Sequence, residues 1–262
     1  MTRKERYSHS RLESFKQCAL KYKFRYIDKI KVEKKSIEGF LGSKVHDTLE
    51  WLYYEVRKGK VPSIDDMIIN YASSWEEEFN PEIYFVVKKQ FTIKDYFEKG
   101  VKFLLDYYQK NAPFDENTLA LEKFVTILLD EDESYKMIGV IDRLVYNKEK
   151  EEYEVHDYKT ANTLPTPDKV ETDRQLPLYS IAIKDNYNAD KIQLIWHYLA
   201  HNKRIYSRRT DEQLDLLKKE TIELINKIED TTLFPYNQSI LCGWCEYQDI
   251  CPTRRKQRRL DV

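Results

Sequence analysis

The chain has 262 residues, 41% of them apolar and 13% aromatic, which is enough to build a substantial buried core, and its 34% charged residues leave a formal net charge of −1. The six glycines, at 39, 42, 59, 100, 139 and 243, never take the spacing of a Walker loop or a dinucleotide-binding fingerprint, which excludes the usual glycine cradles for nucleotide phosphates. The longest run without a charge is the 15 residues 231–245, too short and too polar for a membrane span; with no apolar signal-like segment after the basic start, the expectation is a soluble cytoplasmic protein, no membrane contact and reduced cysteines.

Charge is unevenly placed. Residues 1–35 carry 12 Lys/Arg against 4 Asp/Glu and residues 252–262 carry 5 against 1, so the body between them is acidic. Basic ends attract a polyanion if they meet in space; otherwise such surfaces only keep the protein soluble.

In chain order, residues 10–26 predict a helix with a Ser10–Glu13 capping box. Its apolar stripe is Leu12, Phe15, Ala19, Tyr22 and Tyr26, with Cys18 beside it. A second helix over 36–57 carries His46 one turn after Gly42, and two more over 63–79 and 92–111 make residues 60–112 a helical insertion. The aromatics Tyr96, Phe97, Phe103, Tyr107 and Tyr108 stack on bases if exposed and form core if buried. After Pro113 the runs 119–129, 135–146 and 153–158 are short, β-branched and aromatic, and predict strands. A helix over 173–184 follows, with Pro177 in its first turn, then a strand over 191–199, a helix over 211–230 and a cysteine-bearing C-terminal segment over 234–262. His197 and His201 lie too far apart along a strand to share an ion and read as structural. The pattern is α/β, with a mixed central sheet flanked by helices in one domain spanning 1–262.

The densest chemistry lies in Gly139-Val-Ile-Asp142-Arg143 and His156-Asp157-Tyr158-Lys159. Asp157 and Lys159 share a strand face, and a hairpin centred between Glu149 and Lys150 sets Asp142 across from Asp157. Two carboxylates and an ammonium then converge. Adjacent carboxylates are costly without a cation between them, so the trio either holds a hard metal ion for phosphodiester hydrolysis or is a surface hairpin in which Lys159 merely pairs with Asp157.

With its surroundings, the trio resembles the PD-(D/E)XK nuclease superfamily, in particular its RecB-like branch. Gly42 to His46 matches that branch's G-x3-H element, Glu122 its early-strand glutamate, Gly139 to Asp142 its G-x-x-D, Asp157 to Lys159 its D-x-K, and Gln175 with Tyr179 its Q-x3-Y. The resemblance implies a restriction-endonuclease-like core. It implies Asp142 and Asp157 as metal carboxylates, helped by His46 and the Tyr158 carbonyl. Lys159 would be base or charge stabiliser, Gln175 and Tyr179 would orient Lys159 or a phosphate, and Mg or Mn would be the ion.

Cys242-x2-Cys245-x5-Cys251 is a compact ligand cluster, and the only other cysteine is Cys18. Four thiolates suit a tetrahedral zinc site or an iron-sulfur cluster. One early cysteine with a C-terminal trio is similar to AddB-type and CRISPR-associated Cas-four nucleases, in which a 4Fe-4S cluster staples the first helix to the chain terminus; Ala19 stands where those families carry proline. The expectation is a metal-dependent DNA nuclease of the Cas-four type acting on single strands or ends, with a CRISPR integrase or a helicase as protein partner. The alternatives are a nuclease component of a helicase-nuclease repair system and a catalytically idle DNA-end-binding subunit.

Overall fold

A computed structural model describes residues 7–88 and 90–253. Strand β1 (Tyr7–Ser8) runs straight into helix α1 (His9–Gln17), because Ser8 is extended and its Oγ accepts the Arg11 amide. Ser8 is therefore the cap. Ser10 lies inside the first turn, the expected Ser10–Glu13 box does not form, and Glu13 pairs with Lys16 at 2.8 Å. Nor is the helix continuous to residue 26: Cys18 is extended (φ −162°, ψ 110°), and α2 (Ala19–Tyr22) and a π turn (Lys23–Ile27) follow it. Tertiary contacts override local propensity at this break. The Leu20 amide donates to the Pro235 carbonyl at 3.1 Å and Asn237 Nδ2 to the Gln17 carbonyl at 3.0 Å.

Strand β2 (Lys35–Ser36) precedes α3 (Ile37–Arg57), which Ser36 caps. Helices α4 (Ile64–Glu78) and α5 (Ile93–Asn111) start at capping boxes built on Ser63–Asp66 and Thr92–Asp95, and β3 (Tyr84–Phe85) between them pairs in parallel with β2. The three helices form one core. A Cβ at Gly100 would fall 2.0 Å from the Tyr71 hydroxyl, so this glycine lets α5 close on α4. Tyr96, Phe103 and Tyr107 are buried in that core, with Phe97 and Tyr108 half-buried against it. Tyr96, Phe103 and Tyr107 are therefore packing groups, the core alternative weighed from the sequence.

Strands β4 (Thr118–Leu128), β5 (Lys136–Asn147) and β6 (Glu152–Lys159) form an antiparallel meander. Two helices, α6 (Pro167–Glu171) and α7 (Gln175–Tyr187), then cross to β7 (Ile192–Tyr198), which is parallel to β6; β8 (Lys203–Ser207) pairs antiparallel to β7, and α8 (Asp211–Glu229) follows. The short α6 and β8 carried no signal in the sequence reading. The sheet is mixed. Its strands pack through one set of residues against α1, α7 and α8, and through another against α3, α4 and α5. Among the described residues no helix is long and apolar enough to cross a membrane.

One irregularity in β5 positions everything that follows. Its first edge pairs with β4, whereas its second edge is shared between β1 at residues 137–138 and β6 at residues 143–147. Among the described residues, 139–142 have no strand partner on that edge. The alternation of faces slips at the same place. Ile141 belongs to the core beneath α7, while Arg143, two residues on, lies 4.0 Å over the Tyr53 ring in the α3–α5 core. Across the ladder, Lys123 reaches the Tyr187 ring whereas Leu121 packs into the α3–α5 core. Between them Glu122 takes a left-handed φ of 42°, rare for a residue with a side chain.

The gap is filled by a ring. An added Cβ on Gly139 would sit 2.2 Å from the Tyr179 ring, so the glycine is required by close approach of α7. Gly139→Ala is expected to cost about 1–3 kcal/mol of stability through overpacking, read as a lowered urea midpoint. An unchanged midpoint would mean that the Tyr179 ring moves aside freely.

Candidate active site

The pieces named from the sequence meet at this gap. The β5–β6 ladder ends at Arg143↔His156, and a further step of the same register sets Asp142 opposite Asp157. Backbone pairing has stopped by then. The strands are held instead by a side chain, with the Tyr158 amide donating to Asp142 Oδ2 at 2.8 Å.

On the α3 side, a Cβ on Gly42 would meet Thr160 Oγ1 at 3.3 Å, so this glycine lets α3 press against the end of β6. That brings His46 over the gap. Its Nε2 lies 2.7 Å from the Tyr158 carbonyl oxygen, which can only accept, so Nε2 carries the proton and Nδ1 presents a lone pair. Nδ1 faces Asp142 Oδ2 at 3.4 Å, and two acceptors so close call for a proton or a cation between them. His46, Glu122 and Asp142 each offer a donor atom within 4.8 Å of the other two. A metal-ligating histidine with its other ring nitrogen on a carbonyl is the arrangement that fixes its tautomer.

On the α7 side, Lys159 Nζ donates to Asp157 Oδ1 (3.0 Å) and to Gln175 Oε1 (2.7 Å), and Gln175 Nε2 returns a hydrogen bond to Asp157 Oδ1 (2.9 Å). The three side chains close a ring. Asp157 Oδ2 is buried and joins the ion pair with Lys159 at 2.8 Å, yet it receives no hydrogen bond. The hard oxygen and imidazole donors of His46, Glu122 and Asp142, with the Asp157 carboxylate beside them, fit a divalent cation.

The electrostatics agree with that fit. Burial, and then the neighbouring Asp157, push the Asp142 carboxyl up to about 7, against the opposing pull of His46 and the Tyr158 amide. Burial also raises Glu122 and Asp173. Lys159 is raised above the usual lysine range, because the attraction of Asp157 outweighs the burial that works against its charge.

The structure adds detail to the sequence reading here. Glu122, which that reading left outside the metal set, shares the donor group with His46 and Asp142, whereas Asp157 is engaged mainly by Lys159 and Gln175. The Tyr158 carbonyl accepts from His46, and Tyr179 packs against Gly139 while its hydroxyl reaches Gln175. Two neighbours were missed. Asp173 accepts the Gln175 amide at 3.0 Å, and His9, held down to about 4 chiefly by burial, lies near enough to feel the charges of Lys159 and Asp157. Nothing in the sequence flags His9, since its nearness is purely tertiary.

The four cysteines are half-buried and line one cavity between α2 and the C-terminal segment, together with Phe24, Asn237 and Tyr247. Asn237 N lies 3.4 Å from Cys18 Sγ and Ser239 N 3.4 Å from Cys242 Sγ, so backbone amides already point at sulfur. The basic tail expected to join them, beyond residue 253, lies outside the described residues.

The family model of the PD-(D/E)XK nuclease superfamily matches residues 6–252. The chain belongs to that superfamily. By family it is a nuclease, of a superfamily that works with divalent metal ions. No curated protein matches it significantly. One solved structure, described as the crystal structure of SSO0001, aligns over 83% of this chain and 96% of its own at 16% identity, with a TM-score of 0.35, too distant a likeness to add to the assignment.

Because Asp142 holds a proton up to about pH 7, a divalent ion binding there must displace it. Mn²⁺ affinity is expected to fall roughly tenfold for each pH unit below 7 and to level off above about 8. Calorimetry in buffers of different ionisation enthalpy is expected to read about half a proton released at pH 7. Affinity independent of pH would remove Asp142 from the ligand set.

Proposed function

We propose that this protein is a RecB-like, Mg²⁺- or Mn²⁺-dependent deoxyribonuclease of the Cas-four type, acting on single-stranded DNA or ends, with a 4Fe-4S cluster tying its N-terminal helix to its C-terminal segment. The observation that carries the nuclease reading is the gap at residues 139–142, which is flanked by His46, Glu122 and Asp142 on one side and by the Asp157–Lys159–Gln175 ring on the other.

In this reading Asp142 and Asp157, with His46 and Glu122, hold the divalent ion, and the Tyr158 carbonyl keeps His46 in its ligand tautomer. A divalent ion held by these residues would supply Lewis-acid polarisation of the phosphate and lower the pKa of the attacking water. Lys159, whose proton affinity is raised by Asp157, is the base or the stabiliser of charge developing on the phosphate oxygens. Gln175 holds the ammonium in line, and Tyr179 holds α7 against Gly139.

Cys18, Cys242, Cys245 and Cys251 would hold the cluster. Support comes from their shared cavity, from the amide donors aimed at two of the sulfurs, and from the helix break that turns Cys18 toward the C-terminal segment. The preference for single strands or ends, and a CRISPR integrase or helicase as partner, follow the resemblance to the Cas-four group.

The test is to purify the protein without oxygen, inspect it for a brown chromophore, assay bound iron and zinc, and incubate labelled single-stranded DNA with Mn²⁺. Wild type is expected to cleave, and Asp157→Ala and Lys159→Ala to be slower by roughly 100-fold or more. Equal cleavage by all three would overturn the site. DNA binding without cleavage by wild type would favour the idle end-binding subunit, and one zinc in a colourless protein would overturn the cluster while leaving the nuclease.

A further inference from the structure

Beneath the gap, on the α3–α5 face, lies a buried polar group that the nuclease chemistry does not use. Arg143, the residue after Asp142, is fully buried and spends its donors on three separate pieces of the fold. Nε donates to the Tyr158 hydroxyl at 3.0 Å, Nη2 to His156 Nδ1 at 2.9 Å, and Nη1 to Glu116 Oε2 at 2.6 Å with Thr118 Oγ1 at 3.4 Å. The guanidinium also lies 4.0 Å over the Tyr53 ring. Because His156 Nδ1 accepts from Arg143, its Nε2 carries the proton and donates to Glu154 Oε2 at 3.2 Å.

Tyr158 is fixed at three atoms. Its amide donates to Asp142, its carbonyl accepts from His46, and its hydroxyl accepts from Arg143, leaving the hydroxyl proton for Tyr107 Oη at 3.2 Å. It also stands between Asp157 and Lys159 in the chain. The tilt of this one residue therefore sets where both of those side chains emerge on the opposite face. Pairing with β7 holds the other edge of β6 at residues 157–159, but on the β5 side, where Asp142 lies, the ladder has already ended at Arg143↔His156, so the spacing across the two strands is left to these side-chain bonds. Burying an arginine is costly, and apolar residues fill such space at least as well; what the guanidinium adds is a fork of directed donors.

We propose that Arg143 and the Tyr158 hydroxyl form a positioning clamp that sets the spacing of Asp142 and Asp157, so that affinity for the divalent ion depends on a bond made on the far side of the sheet. The proposal rests on the nuclease reading of the site. Neither residue needs to touch the ion or the DNA through its side chain.

Tyr158→Phe removes the hydroxyl and keeps the ring and backbone. The probe is Mn²⁺ alone, titrated calorimetrically into the full chain, followed by the Mn²⁺ dependence of single-strand cleavage. Affinity is expected to weaken roughly tenfold or more, with saturating Mn²⁺ restoring most of the rate. Tyr53→Phe is the control. It deletes a buried hydroxyl one bond further away, 2.7 Å from Tyr107 Oη, and is expected to lower the melting temperature while leaving Mn²⁺ affinity within about twofold. Arg143→Lys, if it folds, is expected to bind Mn²⁺ more weakly than Tyr158→Phe. Wild-type affinity in Tyr158→Phe would overturn the clamp, and so would equal weakening in both tyrosine variants, because that is the result of a merely structural role. Wild type that neither binds Mn²⁺ nor cleaves would instead overturn the nuclease reading, and the clamp with it.

Discussion

The site depends on a missing length of β-ladder. A strand pair normally fixes its side chains through regular backbone hydrogen bonds, but at residues 139–142 the second edge of β5 is left open between β1 and β6. The Asp142 carboxylate takes over the work of a backbone carbonyl by accepting the Tyr158 amide. A group that would otherwise be free in solvent thereby becomes part of the frame, and its partial burial gives it the raised proton affinity on which metal binding acts.

Such an opening is tolerable because both faces of the sheet are heavily backed. Tyr179 seals the gap against Gly139 from the α7 side, and α3 lies close against the end of β6 because Gly42 carries no side chain. The slip in alternation at Glu122 and Asp142 lets one strand serve two cores, Ile141 packing below α7 and Arg143 reaching into the aromatic cluster of Tyr53, Tyr107 and Tyr158. The polar atoms carried into that cluster are bonded to one another, which is what makes their burial affordable.

The chain ends obey a separate constraint. Helix α1 stops at Cys18 because the segment around residues 235–237 docks there, and further contacts continue the seam: Arg25 pairs with Glu246, and the Tyr247 hydroxyl donates to the Ile30 carbonyl at 3.1 Å. Closing a loop of more than two hundred residues removes much freedom from the unfolded chain, so ligation of these four sulfurs by one inorganic group would stabilise the whole fold as well as the seam.

The sequence by itself determined the order of the longer helices and strands, the starts of α3, α4 and α5 near residues 36, 63 and 92, the hairpin register that pairs Arg143 with His156, and the pairing of Asp157 with Lys159. All of these rest on interactions between residues near in sequence or on a strict period of two. It misread the first helix, since Ser8 and Cys18 answer to distant backbone, and it passed over His9 and the place of Glu122 in the donor group. Only the tertiary structure decided that β5 would be left open at residues 139–142, that the faces would change over at Asp142, and that Arg143 and Tyr158 would brace the site from behind. Those features depend on which strands and helices compete for one edge and one volume, and no local pattern carries that information.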